Sequence, residues 1–131
     1  MPQKNWIFYD DYGRIIKAQT SIEEWAEDNK QEGENLMEVP HQISPDNYYV
    51  SGGTVLQRVP FPDVSVTESP TINSTITVSN VPDNTEVIWP DEIRTRESAS
   101  FTFETDVGGR FDFWLIAAAH PMKKVSIDVA S

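Results

Sequence analysis

In a chain of 131 residues without cysteine, any chemistry must come from two histidines, the carboxylates and the hydroxyls. The missing thiol removes disulfides, thiolate zinc sites and cysteine nucleophiles. His41 and His120 each stand beside a proline, and neither has a second ligand at metal-binding spacing. Both read as loop or strand-end histidines, and no glycine-flanked nucleophile elbow singles out a serine. Asp10-Asp11-Tyr12-Gly13 is the densest cluster of cation-binding type. It lacks the alternating acids and closing glutamate of an EF-hand loop, and a hairpin turn accounts for its residues. Glu23, Glu24, Glu27 and Asp28 fall in the first turns of a predicted helix, where the helix dipole favours acids. A glycosidase pair would need two carboxylates facing each other across a cleft. Gly52-Gly53 and Gly108-Gly109 are not followed by helix signals, so they read as tight turns and not phosphate cradles. Asn73-Ser74-Thr75 matches a glycosylation sequon without an accompanying secretion signal. The expectation is a chain with no catalytic residues, no cofactor and no metal, and not an enzyme.

The charge balance narrows the partners. Ten basic residues stand against 21 acidic ones, a formal net charge of −11. Such a surface repels nucleic-acid phosphates and anionic lipid. The nearest approaches to a basic cluster are the pairs Arg94 with Arg96 and Lys123 with Lys124. Neither nucleic acid nor membrane is expected as a partner. The opening Met-Pro-Gln-Lys-Asn-Trp has no apolar run after its lysine, so it does not read as a secretion signal. The longest apolar run, Trp114 to Ala119, is too short to span a bilayer.

Two-residue alternation dominates the elements that must position these residues. The run from Asn5 to Tyr9, the Asp-Gly turn and the run from Arg14 to Thr20 predict a hairpin. Ser21-Ile22-Glu23-Glu24 has the form of a capping box. Ile22, Trp25 and Ala26 follow at helical spacing until Gly33, which predicts one short helix. Leu36–Val39 predicts a short strand. Tyr48-Tyr49-Val50, the glycine pair and the run from Thr54 to Val59 predict a second hairpin. Pro60-Phe61-Pro62 is the boundary, a stiff extended connector.

From Asp63 onward six candidate strands follow in about seventy residues. They are Val64–Val66, Ile72–Val78, Glu86–Trp89 after a Pro82-Asp83-Asn84 turn, Ala99–Phe103, Phe111–Leu115 and Val125–Val129. Turn signals at this spacing predict a small antiparallel sandwich, with Trp89 or Trp114 as its central aromatic. The fold class is mainly β: residues 1–62 form a hairpin-rich docking segment with one short helix, and residues 63–131 form a small Ig-like β-sandwich.

The order of these pieces resembles a class of small virion proteins of tailed bacteriophages. Trp6-Ile7-Phe8-Tyr9-Asp10-Asp11-Tyr12-Gly13-Arg14-Ile15-Ile16 matches an opening aromatic strand, Asp-rich glycine turn and strand. Asn47-Tyr48-Tyr49-Val50-Ser51-Gly52-Gly53-Thr54-Val55, then Arg58-Val59-Pro60-Phe61-Pro62, matches a middle element of the form Tyr-Tyr-Val, glycine turn, strand and Arg-x-Pro-x-Pro. Gly109-Arg110-Phe111-Asp112-Phe113-Trp114, His120-Pro121 and Val125–Val129 match the closing sandwich. The insert from Ser21 to Gly33, a helix in place of a plain connection, departs from the pattern.

The resemblance implies a non-enzymatic structural part of a phage particle, tail- or fibre-associated, made in the host cytoplasm and located in the virion. It implies symmetric multiple copies bound to other virion proteins. Two other readings are a capsid decoration protein and a carbohydrate- or protein-binding module for host recognition. The aromatic residues Trp6, Phe8, Tyr9, Tyr48, Tyr49 and Phe61 are the candidate partner contacts, by which the two N-terminal hairpins would dock on a larger neighbour. Each is also of the type that fills a core.

Overall fold

Residues 2–131 are described by a computed structural model. They form ten strands and one helix, arranged in two compact units that divide between Val59 and Pro60. The architecture is mainly β and antiparallel, as the alternation predicts.

In the first unit, β1 (Lys4–Tyr9) is central, with β2 (Ile15–Ser21) and β3 (Asn35–Val39) antiparallel on either side. All three middle residues of β1, Trp6, Ile7 and Phe8, are buried, so both faces of this strand are covered. Ile7 packs with Ile15, Val39, Ile43 and Val50 on one face; Trp6 and Phe8 pack with Ala26 on the other. The helix α1 (Glu23–Asn29) supplies that cover, and Ala26 is its only buried residue. A methyl group there permits close approach of helix to sheet.

The predicted capping box does not form. Ser21 closes β2, its hydroxyl donates to the Ile22 carbonyl at 3.0 Å, and the N-cap Ile22 has no side-chain cap. The other end is tied down instead. Lys17 Nζ donates to the Asn29 carbonyl at 3.0 Å, and Asn29 Nδ2 donates to Gln19 at 2.9 Å. A cation at the C-terminal carbonyls also suits the helix dipole. Trp25, expected on the apolar face, is 58% exposed.

The second hairpin, β4 (Tyr48–Ser51) and β5 (Thr54–Gln57), turns through Gly52 and Gly53. It joins the first through Gly13. The Val50 amide donates to the Gly13 carbonyl at 2.8 Å, and Arg14 bridges Tyr49. Gly13 has φ +91°, and a Cβ there would stand 2.0 Å from the Val50 carbonyl oxygen.

In the second unit, β7 (Ile76–Ile88) pairs with three strands: β6 (Ser65–Val66), β8 (Arg94–Phe103) and β9 (Gly109–Ala117); β10 (His120–Val129) flanks β9. Two of the expected strands, Ile72–Val78 and Glu86–Trp89, contribute Ile76–Val78 and Glu86–Ile88 to this one element, while residues 72–75 form a turn ahead of it. Pro82-Asp83-Asn84 does not reverse the chain. It loops out, and the strand resumes on the same partner: Val81 pairs with Ala99 and Thr85 with Glu97. Asn80 is an extra residue, since Val78 pairs with Phe101 and Val81 with Ala99. That insertion switches the buried parity from Ile76 and Val78 to Val81, Thr85 and Val87. Asn80, Asn84 and Ala99 take positive φ at these irregularities.

The core of this unit centres on Phe113, fully buried, not on a tryptophan. Trp89, Phe101 and Phe103 surround it with ring centroids 5.2, 5.7 and 4.9 Å away. Trp89 keeps its indole N–H satisfied by Thr95 Oγ1 at 2.8 Å, whereas Trp114 is 39% exposed. The connection from β9 to β10 is two alanines, Ala118 and Ala119, in a run that lacks every usual turn residue.

Gly13→Ala should cost about 2–4 kcal/mol, because strain at positive φ adds to a clash with backbone. Gly52→Ala, at φ +56° with open space around it, should cost about 1 kcal/mol from strain alone. Denaturant unfolding of the two variants of the full chain measures the difference. Phe113→Ala should remove about 3–5 kcal/mol from the second unit, read by hydrogen exchange of β7 and β9 amides.

Candidate functional site

The residues of catalytic type are spent on structure or lie apart. His41 is exposed in the loop after β3, and His120 opens β10 with its ring 5.3 Å from that of Phe61. They belong to different units. Among the described residues no group of three or more histidines and acids is placed to hold a metal ion. Asp10 builds its turn: one carboxylate oxygen accepts the Tyr12 and Arg14 amides, both at 2.9 Å, and its carbonyl accepts the Gly13 amide at 3.0 Å. Asp11 accepts from Asn35 Nδ2 at 3.1 Å. No helix of the described residues is long and apolar enough to cross a membrane.

The candidate contact residues separate into two groups. Trp6 and Phe8 are corrected to core: Phe8 has no exposed surface, and Trp6 is 6% exposed with its indole N–H donating to the Ser21 carbonyl at 3.0 Å. A side chain with both its apolar body and its polar handle used internally has nothing to offer a partner. Tyr9, Tyr48, Tyr49 and Phe61 are half-buried. Tyr9 and Tyr48 lean on the Ile7 cluster, and Phe61 on the core of the second unit.

Two arginines that the sequence reading left aside define a cleft in the first unit. Asp10, Arg14, Ile15, Ile16, Pro45, Asp46 and Arg58 line a space of about 440 Å³. Ile16 is the extra residue of a bulge between β1 and β2, where Phe8 pairs with Lys17 and Tyr9 with Ile15. The bulge leaves its side chain 48% exposed beside the arginines. The Arg58 amide donates to the Asn47 carbonyl at 2.8 Å, which closes the hairpin base. Its guanidinium donates to the Asp46 carbonyl at 3.4 Å. Burial first, and then the neighbouring Arg14, push the Arg58 pKa below its ordinary value, while Asp46 opposes the shift. The group stays charged at neutral pH. The cleft lining therefore brings two cations, Arg14 and Arg58, and two acids, Asp10 and Asp46, around Ile15, Ile16 and Pro45. The Arg-x-Pro-x-Pro phrase contained Arg58, but nothing local pointed to Arg14 as its neighbour.

In the second unit the outward face of β9 and β10 carries an acid held by several donors. Asp112 accepts from the Ser126 hydroxyl at 2.7 Å and from Arg110 Nε at 3.1 Å, with Lys124 Nζ 3.7 Å away. The Ser126 hydroxyl and the Arg110 guanidinium hold its pKa below the usual carboxylate range. Glu86 is similarly flanked, by Arg94 at 2.8 Å and Arg96 at 3.6 Å.

Compared with models of protein families, with curated proteins and with solved structures, the chain matches none.

A folded state that lowers the pKa of Asp112 binds its proton more weakly than the unfolded chain does. The linked stabilisation is complete above the ordinary value of 3.8 and disappears as pH falls through the lower folded value. Carboxyl-carbon NMR should find Asp112 titrating below that value, and Ser126→Ala should move it back up.

Proposed function

We propose that the chain is a non-enzymatic structural component of a bacteriophage particle, tail- or fibre-associated, which binds other virion proteins. The observation that carries this reading is the physical union of the first two phrases on which the resemblance rests. The Asp-rich turn presents Gly13, Gly13 admits Val50 of the Tyr-Tyr-Val hairpin, and that hairpin closes on Arg58 of the Arg-x-Pro-x-Pro phrase. Each phrase alone is an ordinary strand and turn; together they build one cleft. With the Asp10 carboxylate held by the amides of its own turn, the cleft offers Arg14 and Arg58 against one further acid, Asp46, beside Ile15 and Ile16, which suits an acidic side chain from a neighbouring virion protein. The abundant acids elsewhere keep a subunit dispersed before assembly. Tyr9, Tyr48, Tyr49 and Phe61 remain the aromatic contacts of this proposal.

Particles purified on a density gradient from the host that carries the gene should contain the chain in multiple copies by quantitative mass spectrometry. Arg58→Glu should reduce incorporation about tenfold or more while leaving the circular dichroism and cellular abundance of the chain unchanged. Infectious particles that lack the chain altogether would refute the proposal.

A further inference from the structure

The basic residues of the second unit are not scattered. Strand alternation turns Phe111, Phe113, Leu115, Val125, Ile127 and Val129 toward the core, so the intervening residues of β9 and β10 face outward. Register then places Lys124 beside Trp114, Trp114 beside Ile88, and Ile88 beside Arg94, a row across four strands. Arg110 lies two rows along on β9, and Arg96 pairs with Glu86 on the other side. Four of this unit's five basic residues, Arg94, Arg96, Arg110 and Lys124, therefore share one face with only three of its eleven acids, Glu86, Asp112 and Asp128. Elsewhere the unit is overwhelmingly acidic.

At the middle of this face stands Trp114, 39% exposed, with Lys124 Nζ 5.5 Å from its ring centroid. Ile88 extends the apolar strip on the neighbouring strand. Arg94 and Arg110 keep 62% and 60% of their side-chain surfaces exposed although each touches an acid. Asp112 is locked in place by Ser126 and Arg110, a fixed acceptor two residues from the tryptophan.

We infer that the outward face of β8, β7, β9 and β10 binds a linear acidic polysaccharide carrying carboxylates. Trp114, 39% exposed with the Lys124 ammonium over its ring, offers its remaining apolar surface to the C–H face of a sugar ring. The arginines and Lys124 meet the carboxylates in charge-assisted contacts, and Asp112 accepts from hydroxyls. An acidic peptide would use the same cations but brings no vicinal hydroxyls for Asp112. Size points the same way. Three inter-strand spacings of about 4.8 Å and six rises of about 3.3 Å, from the Arg110 row to the Ile116 row, give roughly 300 Å². A stable protein partner needs about 800 Å² per side. A chain of two or three sugar rings fits the face as it stands. This inference does not depend on the virion reading, and particle incorporation does not report on it.

Affinity electrophoresis of the full chain in gels containing alginate, polygalacturonate or hyaluronate tests it, with dextran and poly-L-glutamate as controls. At least one uronate polymer should retard the chain, neither control should match it, and added salt should weaken the effect. Trp114→Ala should lower the affinity about tenfold or more, and Lys124→Glu should weaken it without disturbing the core. Trp25→Ala, at an exposed tryptophan in the other unit, should change nothing. Retardation by no uronate polymer, equal retardation by poly-L-glutamate or dextran, or full binding by a folded Trp114→Ala variant would each overturn the inference.

Discussion

The second unit depends on one strand that must serve three partners. β7 is hydrogen-bonded to β6, β8 and β9, and it delivers Ile76, Val78, Val81 and Val87 to a single core. A regular strand of thirteen residues could not do this. Its alternation would carry Asn80 inward after Val78 and turn Val81 and Val87 outward. The extra residue at Asn80 corrects the parity, and the loop at residues 82–84 lets the strand bend without losing β8. Asparagine at the left-handed positions 80 and 84 makes both adjustments at low strain. Thr85, buried at the end of the loop, is satisfied by the Pro82 carbonyl at 2.7 Å. Among the described residues no buried side-chain nitrogen or oxygen lacks a partner.

The first unit rests on a smaller constraint of the same kind. Its two hairpins meet where backbone approaches backbone at Gly13, a contact that only a residue without Cβ allows. Asp10 shapes the turn that presents Gly13, and the Ile7 cluster fills the space behind it. Because β1 is buried on both faces, aromatic residues that would suit a partner are consumed in holding helix and hairpin to the sheet. The bulge that shifts Tyr9 onto Ile15 ejects Ile16 beside Arg14. Local irregularity, not loop length, thus produces the surface features of this unit.

Charge follows from these frameworks. A chain of net charge −11 has few cations, and the fold gathers them. Arg14 and Arg58 are 44 residues apart in sequence yet line one cleft. Arg94 and Lys124 reach one sheet face because β7 and β9 lie between their strands. The same surfaces hold acids that partner these cations, Glu86 for Arg94 and Arg96 and Asp112 for Arg110 and Lys124.

Sequence by itself located most of the strand-forming runs, both hairpin turns of the first unit, the helix and the mainly β class. These follow from interactions within a few residues: alternation, glycine at positive φ and an acid-rich helical start. The inward parity of β9 and β10 was legible for the same reason. Tertiary structure alone decided which strands pair and what they cover. It turned Pro82-Asp83-Asn84 from a chain reversal into a bulge, because the same partner strand waits on both sides. It left the capping box unmade, because Ser21 was needed to end β2. It buried Trp6 and Phe8 and exposed Trp25 and Trp114, since an aromatic pattern is the same whether its face meets water or another layer. The cationic cleft and face were invisible for a related reason: pairing across strands, not spacing along the chain, brings their residues together.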